Sequence, residues 1–553
     1  MSSPVSELAS STLFLELLTR RGLQDRDAIA QFLAADLTHL ENPFQMKDMA
    51  QAVASIQKVL KASGKILIHG DYDVDGITAA AVLARTLSLM GAHYSVFLPE
   101  RMRDGYGVSL KAIQEAHSQG ASLLITADCG ITAHDQIRFA RENGMEVIII
   151  DHHRIPREGI PEANAVLNPE QHDCAYPFKD LTAAGLAFKL SQALIGDDAF
   201  NFLDLVALST VCDVAPLWGE NRILVRHGLK RLSETPNLGL RALADRANLR
   251  AKQLNAGHLG FILGPRINAC GRMSTPDIAY RLLVTNHARE ARSLSEVLEA
   301  ENQWRQKEDK RTTQEALWDA ERSFNFNRDR VLVVGRAGWH QGVVGIVASR
   351  LVEKYHRPAL VVAFNGEDGK GSGRSIKKFN LFEALQASRE ALGEFGGHSQ
   401  AVGFSLRPEN LVLFRKLLNQ YAWEHTPPEI FVREVQADLE IGLHDLKPRF
   451  IEELESLEPY GMGNPRPIFL TRNLRLKKKA SQLSHQMLRL WVSNGEMTYE
   501  ALWKERFSGD HAWLDQDAPF DIYYSVKKNM WNGMETLVLE IKNVQPAAQE
   551  AAV

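Results

Sequence analysis

The sequence has few cysteines, a small net charge and no long apolar run, and each of these absences excludes a class of protein. Its four cysteines are scattered without a Cys-x-x-Cys pair, so we expect a reducing compartment and no zinc or disulfide framework. No stretch of about 20 apolar residues is present, so we expect no membrane span. The formal net charge of −4 argues against general affinity for polyanions. Together these absences favour a cytoplasmic protein.

The chain is long enough for several domains, because 553 residues exceed what one hydrophobic core usually serves. Residues 281–322 have a helical pattern, many charges and no proline, which predicts a long solvated connector helix. Alternating segments at 486–493, 519–527 and 535–544 predict a small β-barrel or sandwich. The predicted segments are a helical cap (1–45), an α/β catalytic domain (46–280), the connector (281–325), a smaller α/β domain (326–428), a β-rich domain (429–545) and a frayed tail (546–553).

Three short strings of acidic and imidazole residues each follow a pattern typical of a buried strand. The strings are HGDYDVDG at 69–76, ADCG at 127–130 and DHH at 151–153. Helix-period stretches at 78–90 and 132–143 separate them, which predicts a β-α-β-α-β unit with a parallel sheet. In such a sheet, ligands bind in the crevice outside the carboxyl ends of the strands. We therefore expect the three strings to meet at one edge.

The side chains expected to meet there are Asp71, Asp73, Asp128, His152 and His153. Carboxylates that crowd together repel one another unless a cation neutralises them, so the pattern predicts a metal site. Carboxylate and imidazole ligands favour Mn²⁺ or Mg²⁺ over a thiolate-binding metal. A pair of ions roughly 3.5–4 Å apart can assist phosphoryl hydrolysis, and Asp128 on the central strand is the candidate that reaches both ions.

Three neighbouring residues have simpler interpretations when each is taken alone. Asp213 ends an apolar segment, where a charge is unfavourable without a partner, so we expect Asp213 to be a further metal ligand. The simpler alternative is that Asp213 is solvated, as a lone Asp usually is. Asp75 precedes Gly76, and we expect Asp75 to cap the 78–90 helix while the glycine permits a tight turn. Cys129 is expected to be a small packing residue, since no partner base is evident in the sequence.

The three strings, in this order, resemble the signature of the DHH phosphoesterase superfamily. Further strings narrow the resemblance to its bacterial single-strand-specific 5′→3′ DNA exonucleases: GYG at 105–107, GPRINA at 264–269, GSGRS at 371–375, GGH at 396–398 and EPYGMGNP at 458–465. The resemblance implies a parallel-sheet DHH domain joined by a long helix to a smaller α/β DHHA1 domain, with a β-rich OB-like domain near the C-terminus. Cys270, between Ala269 and Gly271, departs from the family pattern, because only small residues are expected at this place.

The resemblance also implies roles for individual residues. It places the metal ligands on Asp71, Asp73, Asp128, His152 and Asp213, with His69 as a ligand or a supporting residue. His153 would contact the scissile phosphate or support the leaving oxygen, which makes Asp128 and His153 the expected catalytic residues. The implied activity is removal of 5′-mononucleotides from single-stranded DNA in repair and recombination, with two Mn²⁺ or Mg²⁺ ions. A single-strand-binding protein and a helicase are the implied partners of a monomer.

The string GSGRS offers flexible backbone N–H groups, hydroxyls and a guanidinium, a chemistry suited to a terminal phosphate. The similar family loop binds the 5′-terminal phosphate, so the resemblance assigns that role to Ser372 and Arg374. As an isolated string, GSGRS would more often be only a flexible loop. The other expected contacts with DNA are Arg101, Arg266, Asn268 and His398, with Tyr106 as a candidate for base stacking.

Two other functions stay open from the sequence. An enzyme of the same chemistry could act on short RNA, cyclic dinucleotides or 3′,5′-bisphosphates, although tiny substrates need neither this chain length nor an extra β-rich domain. A scaffold protein could keep the resemblance without catalysis. The complete set of carboxylates and histidines argues against a scaffold, because a scaffold gains nothing by crowding charges together.

Overall fold

The computed structural model describes residues 11–100, 103–105, 107–249, 253–484, 487–504, 518–531 and 534–547. The chain divides into two compact units. The first unit contains the described residues up to Gln303 and the segment Glu452–Arg466. The second unit contains Trp304–Ile451 and the described residues from Pro467 onward. None of the described helices is both long and apolar enough to cross a bilayer.

The first unit is built around a five-stranded parallel sheet in the order β2-β1-β3-β4-β5. Its strands are β1 (Lys65–His69), β2 (His93–Phe97), β3 (Ala121–Ala127), β4 (Glu146–Ile150) and β5 (Ala165–Leu167). Successive residues of β1 point to opposite faces of the sheet. Ile66 belongs to the hydrophobic core on one face, and Leu67 belongs to the core on the other. Because both faces are covered, the strand patterns are continuously apolar. The predicted parallel sheet is confirmed, and β2 and β5 extend it at its two edges.

Helices cover both faces of this sheet and extend into a helical region after β5. The helices of the first unit before the connector are α1 (Thr12–Arg20), α2 (Arg26–Ala34), α3 (Met49–Lys61), α4 (Val74–Leu89), α5 (Leu110–Ser118), α6 (His134–Glu142), α7 (Ala183–Ile195), α8 (Leu203–Cys212), α9 (Gly219–Ser233), α10 (Leu238–Arg246), α11 (Ala256–His258), α12 (Gly264–Met273) and α13 (Asp277–Val284). A π-helical turn over Leu259–Leu263 precedes α12. Helix α4 begins four residues earlier than the predicted 78–90 stretch and is buried along most of its length.

The predicted connector is the 36-residue helix α14 (Ala288–Ser323), about 54 Å long at 1.5 Å per residue. It begins later than the predicted start at residue 281, because α13 ends at Val284 and Thr285 adopts an extended backbone. The Thr285 hydroxyl donates to Glu290 at 2.6 Å and so braces the start of α14. The long connecting helix is therefore confirmed, with a later first residue.

The second unit opens with a mixed five-stranded sheet in the order β6-β7-β8-β10-β9. Its elements are β6 (Leu332–Ala337), α15 (Val344–Tyr355), β7 (Ala359–Asn365), β8 (Asp368–Arg374), α16 (Leu381–Ala387), β9 (Phe395–Gly397), β10 (Ala401–Ser405) and α17 (Leu411–His425). Strands β6 and β7 are parallel, whereas β8 pairs antiparallel with β7 and β10. The string GSGRS therefore lies mostly on an internal strand, and the expectation of a flexible loop there is wrong.

The C-terminal part of the second unit is a six-stranded sheet whose strands β12 and β15 also pair, which closes it into a barrel. Its elements are β11 (Leu439–Glu440), β12 (Phe469–Ser484), β13 (Met487–Ser493), β14 (Thr498–Lys504), β15 (Phe520–Trp531) and β16 (Met534–Pro546), and helix α18 (Pro448–Ser456) lies between β11 and β12 in the chain. The β-rich domain is confirmed, and β12 and β14 are additional to the predicted strands. Asn494-Gly495, a pair typical of hairpin turns, lies between β13 and β14, and the similar pair Asn532-Gly533 lies outside the described residues.

Candidate metal centre

The carboxyl ends of β1, β3 and β4 and the C-terminal end of α8 bring together acidic and imidazole side chains. Three groups of donor atoms form there, and in each group the atoms lie within 4.8 Å of one another. The groups are Asp71 with Asp73 and Asp128, Asp128 with His152 and His153, and Asp75 with His152 and Asp213. The first two groups share Asp128, and the last two share His152. Six sequence-predicted residues thus meet at one sheet edge, together with Asp75.

His152 lies at the centre of this cluster. Its Nε2 atom is 3.3 Å from Asp128 Oδ1, 3.6 Å from Asp75 Oδ2 and 3.7 Å from Asp213 Oδ2. The imidazole is 21% exposed, so one side of it faces solvent. One ring nitrogen therefore faces three carboxylates, an arrangement that a divalent cation among them would stabilise.

Asp128 occupies a strained backbone position directly after β3. Its φ is +65°, a left-handed conformation that few residues other than glycine adopt, although Asp and Asn tolerate it best. The Asp128 N–H donates to the Ile150 carbonyl at 2.9 Å, which fixes the turn against the end of β4. This conformation directs the carboxylate into the cluster. Strain of this kind clusters at functional sites.

Asp73 caps the N-terminus of helix α4, so the prediction that Asp75 caps this helix is wrong. One Asp73 carboxylate oxygen accepts from the N–H groups of Asp75 and Gly76 at 2.9 and 3.1 Å, so α4 begins at Val74. A Cβ on Gly76 would lie 2.5 Å from the backbone nitrogen of Asp71, so glycine permits this close approach. The Val74 N–H also donates to the side chain of Asn268 at 3.2 Å.

Asp75 is a member of the cluster that sequence reasoning treated only as a helix cap. Its carboxylate accepts from the N–H groups of Ala183 and Ala184 at 2.8 Å each, at the first turn of α7. The Ser209 hydroxyl donates to the same carboxylate at 2.5 Å. Asp75 is 1% exposed, so these donors hold a fully buried charge beside His152. The sequence feature that could have indicated its place in the cluster is its position in the DVDG string.

Asp151 is the second residue that was missed, although it is the first letter of the DHH string. It accepts from His153 Nδ1 at 2.7 Å, from the His153 N–H at 3.0 Å and from the Ile131 N–H at 2.9 Å. Burial alone would disfavour the charged imidazolium, but the hydrogen bond and charge of Asp151 raise the pKa of His153 to about 9. Asp151 therefore orients His153 and keeps it protonated at neutral pH.

His69 lies beside the cluster without joining the three donor groups. The Ser109 N–H donates to His69 Nε2 at 2.9 Å, and Nδ1 lies 3.8 Å from Cys129 Sγ. Burial lowers the pKa of His69 to about 4, so the ring is neutral. Of the two expectations for His69, this geometry favours the supporting position. Cys129 is buried, and burial raises the pKa of its thiol, as expected for a packing residue.

The electrostatics of the cluster favour the binding of a cation. Burial, followed by repulsion from Asp75, raises the pKa values of Asp73 and Asp128. The same two causes raise the pKa of Asp213 to about 8. The buried Oδ1 atom of Asp128 accepts no hydrogen bond from any residue that the structure describes. Buried carboxylate oxygens without donors are the ligands that Mn²⁺ and Mg²⁺ take, so the residues fit divalent cations.

The predicted phosphate-binding residues Ser372 and Arg374 are neighbours on one face of β8. The Arg374 guanidinium donates to the Ser372 hydroxyl at 2.9 Å and to the Gly373 carbonyl at 2.8 Å. Gly345, in the first turn of α15, packs against both, since a Cβ there would lie 3.1 Å from each side chain. The pair therefore combines a hydroxyl and a cation beside the N-terminus of a helix, where anions are favoured.

The other predicted DNA contacts have separate environments. Arg266 donates to Glu299 at 2.7 Å and to the Ile262 carbonyl at 2.7 Å, so its charge is already paired within the first unit. Asn268 braces the start of α4, as described above. His398 is exposed in the turn between β9 and β10. Arg101 and Tyr106 lie outside the described residues.

Comparisons with known proteins match three parts of the chain. Three family models match it: the DHH family N-terminal domain over residues 65–210, the DHHA1 domain over 328–424 and the RecJ OB domain over 437–543. The chain is 32% identical over 529 residues to the single-stranded-DNA-specific exonuclease RecJ of Escherichia coli and covers 91% of it. Its identity to the Bacillus subtilis protein of that name is 38% over 480 residues, which is 86% of this chain and 61% of that one.

Solved structures agree with this likeness. The crystal structure of RecJ from Thermus thermophilus in complex with Mn²⁺ matches with a TM-score of 0.82 and 31% identity, over 97% of this chain and 76% of that one. The Mg²⁺ complex from the same organism matches with a TM-score of 0.76 and 29% identity, over 96% of this chain and 74% of that one. The expectation of Mn²⁺ or Mg²⁺ is confirmed by these relatives and by the donor groups of this chain.

The acidic edge of a parallel sheet, followed by a DHHA1 domain, defines a metal-dependent phosphoesterase of the DHH class. The third domain and the similarity over nearly the full length narrow that class. The chain belongs to the RecJ family of single-stranded-DNA-specific exonucleases.

Proposed function

We propose that this chain removes mononucleotides from the 5′ end of single-stranded DNA, with two Mn²⁺ or Mg²⁺ ions at the acidic sheet edge. The observation that carries this proposal is that two donor groups meet: Asp128, from the group with Asp71 and Asp73, lies 3.3 Å from His152, from the group with Asp75 and Asp213. Two donor groups in contact suit two adjacent cations. Membership of the RecJ family supports the substrate and the reaction class.

In this proposal, Asp71, Asp73, Asp128, His152 and Asp213 hold the ions, and His69 supports them. When bound, divalent ions supply Lewis acidity that lowers the pKa of water and offsets the charge developing on the phosphoryl group. Asp75 places a further carboxylate oxygen 3.6 Å from His152 Nε2, within reach of a cation bound there. The capped turn at Asp73 and the strained turn at Asp128 hold the carboxylates in place before any substrate arrives.

His153 is the group that acts on the substrate itself. Its Nδ1 atom is committed to Asp151, which leaves Nε2 for an oxygen of the scissile phosphate. A protonated ring donates a charge-assisted hydrogen bond to that oxygen and stabilises negative charge as it develops. Asp151 is a positioning residue, because it acts through His153.

Recognition of the 5′ end is assigned to Ser372 and Arg374. A terminal phosphate would accept hydrogen bonds from the Arg374 guanidinium and the Ser372 hydroxyl, which already contact each other on β8. His398, Arg101, Tyr106 and Arg266 stay proposed DNA contacts; for Arg266 the ion pair with Glu299 must be exchanged for a phosphate. Asn268 contributes indirectly, because its side chain accepts a hydrogen bond from the Val74 N–H at the start of α4.

We also propose that the protein works in the cytoplasm as a monomer, assisted by a single-strand-binding protein and a helicase. The four cysteines are free thiols, which supports a reducing compartment. Strand separation by a helicase would provide the single strand that the enzyme consumes.

Digestion of one oligonucleotide labelled separately at its 5′ and 3′ ends tests the proposal. With Mn²⁺ present, we expect the 5′ label to appear first as a mononucleotide and the 3′-labelled strand to shorten stepwise. A 5′ phosphate should accelerate the reaction, and a chelator should stop it. The matching duplex and a dinucleotide serve as controls. Early release of the 3′ label, or cleavage of the dinucleotide alone, would contradict the proposal.

A further inference from the structure

The turn that carries Asp213 is strained and contains no glycine at its critical position. Asp213 follows the last residue of α8, and Val214 takes a φ of +60°. The Ala215 N–H donates back to the Thr210 carbonyl at 3.1 Å, so the turn closes the helix in a left-handed cap. A β-branched residue with positive φ is a genuine outlier and persists only where the surroundings enforce it.

The surroundings that meet this turn come from a distant part of the chain. We call residues 458–465, which carry the EPYGMGNP string, the clasp; they lie within the Glu452–Arg466 segment of the first unit. The Leu217 N–H donates to the Met462 carbonyl at 2.7 Å. A Cβ on Gly461 would lie 2.6 Å from Leu217 Cδ1, and one on Gly463 would lie 2.9 Å from Pro216 Cβ. The clasp backbone thus lies directly on residues 216 and 217.

Two arginines anchor the clasp and the residues directly before it. Buried Arg222 donates to the carbonyls of Ser456 and Leu457 at 2.9 and 2.7 Å, and also to the Phe32 carbonyl at 2.8 Å. Arg21 donates to the Asn464 side chain at 3.1 Å and to the Pro465 carbonyl at 2.8 Å. Each anchor is a guanidinium held on carbonyl oxygens, so the clasp has little freedom to shift.

We infer that the clasp is a positioning element for metal binding: it enforces the strained turn at Val214 and so holds the Asp213 carboxylate against the His152 imidazole. The inference rests on the proposed role of Asp213 as a metal ligand and adds a control over that ligand by residues 458–465. Gly463 is the central positioning residue, because its φ of +71° and its contact with Pro216 leave no room for a side chain.

Titration of the full chain with Mn²⁺, followed by the electron paramagnetic resonance signal of free and bound ion, tests the inference. In Gly463→Ala, the new methyl group must displace Pro216, so we expect Mn²⁺ affinity at the site that includes Asp213 to fall about 10-fold, as for other residues that orient metal ligands. Raised Mn²⁺ should then restore the nuclease turnover of the wild type. Gly144→Ala is the matched control, because Gly144 also has a positive φ (+81°) but nothing within 4 Å of a Cβ.

Further variants separate the possible failures. Gly461→Ala has no backbone strain and meets the movable end of Leu217, so it should give a smaller loss of affinity and serves if Gly463→Ala does not fold. In the Val214→Gly background the turn no longer needs enforcement, so the Gly463→Ala loss should shrink. Folded Gly463→Ala and Gly461→Ala proteins that bind Mn²⁺ as tightly as the wild type would overturn the inference. If Asp213→Asn binds Mn²⁺ like the wild type, the assignment of Asp213 fails instead.

Discussion

The acidic centre of the first unit and the Ser372–Arg374 pair of the second unit are both proposed phosphate sites, but they are organised in opposite ways. The acidic centre buries carboxyl groups whose pKa values lie above the ordinary range, so without cations these groups hold protons that a bound metal ion would displace. In the β8 pair, the guanidinium already donates to a hydroxyl and a carbonyl. The first site is thus completed by metal, whereas the second is complete once the chain has folded.

The strongest test of this contrast is Asp128→Asn. The amide tolerates the left-handed backbone but removes the charge shared by two donor groups, so nuclease activity should fall at least about 10³-fold. The rate of mononucleotide release at high Mn²⁺ measures this loss. In chelator, the variant should melt above the wild type, because one buried like charge is gone. Asp173→Asn, at an exposed ion pair with Lys47, is the control; equal loss in both variants would refute the assignment.

Metal addition should stabilise only the first site. At a Mn²⁺ concentration about 100 times the dissociation constant, one site adds about 2.7 kcal/mol to the free energy of unfolding. Thermal melts with Mn²⁺ and with chelator measure this gain. Hydrogen exchange should slow at residues 69–76 and 127–130 and stay unchanged at 371–374. Equal slowing in both regions would show that the two sites do not differ as argued.

Replacement of Asp151 by Asn should weaken turnover about 10-fold, because His153 loses the partner that orients it. The loss of that charge also lowers the pKa of His153. If the protonated ring is required, the alkaline limb of the pH–rate profile moves to lower pH. Asp135→Asn, at an exposed carboxylate of α6, should leave the profile in place. An unchanged alkaline limb in Asp151→Asn would exclude the proposed role of His153.

Removal of the guanidinium in Arg374→Ala should mainly reduce the preference for 5′-phosphorylated ends. A hydrogen bond to a charged group contributes about 1.5–3 kcal/mol, so the preference should fall about 10-fold or more. Competition between phosphorylated and unphosphorylated oligonucleotides measures it, with Arg407→Ala at an exposed position of the same unit as control. Mn²⁺ affinity should not change. An intact preference would remove Arg374 from end recognition.

The stability of the metal-free protein should depend on pH through Asp213. The pKa of Asp213 is near 4 when unfolded and about 8 when folded. The folded state therefore holds this proton more tightly, and its contribution to stability is lost as pH rises from about 4 to about 8. Urea unfolding in chelator at several pH values measures the decline, which Asp213→Asn should make shallower. A stability that rises over this interval in both proteins would contradict the argument.

The acidic edge could be predicted because it depends on local order along the chain. Strings that directly follow parallel strands must meet at one edge, so Asp71, Asp128 and His152 come together once the strands are recognised. The roles of Asp73 and Asp75 could not be separated in this way. Asp75 is drawn away from capping by the amides of Ala183 and Ala184, more than a hundred residues later in the chain.

The string GSGRS was misjudged for a similar reason. Its glycines indicated a loop, but they lie on a strand because neighbouring side chains pack across it. A Cβ on Gly371 would lie 2.3 Å from the Phe404 ring, and one on Gly373 would lie 2.7 Å from Val402. Contacts with a strand about 30 residues later decide this conformation, and no local pattern records them.

The site also depends on a small detail of helix α12. A Cβ on Gly271 would lie 2.3 Å from the carbonyl oxygen of Tyr72, between the two aspartates of the β1 turn. Cys270, the residue that departs from the family pattern, instead packs into the hydrophobic core beside it. Two adjacent positions therefore differ in what a larger side chain would meet: at 270 it would meet the hydrophobic core, whereas at 271 it would press on the backbone between Asp71 and Asp73.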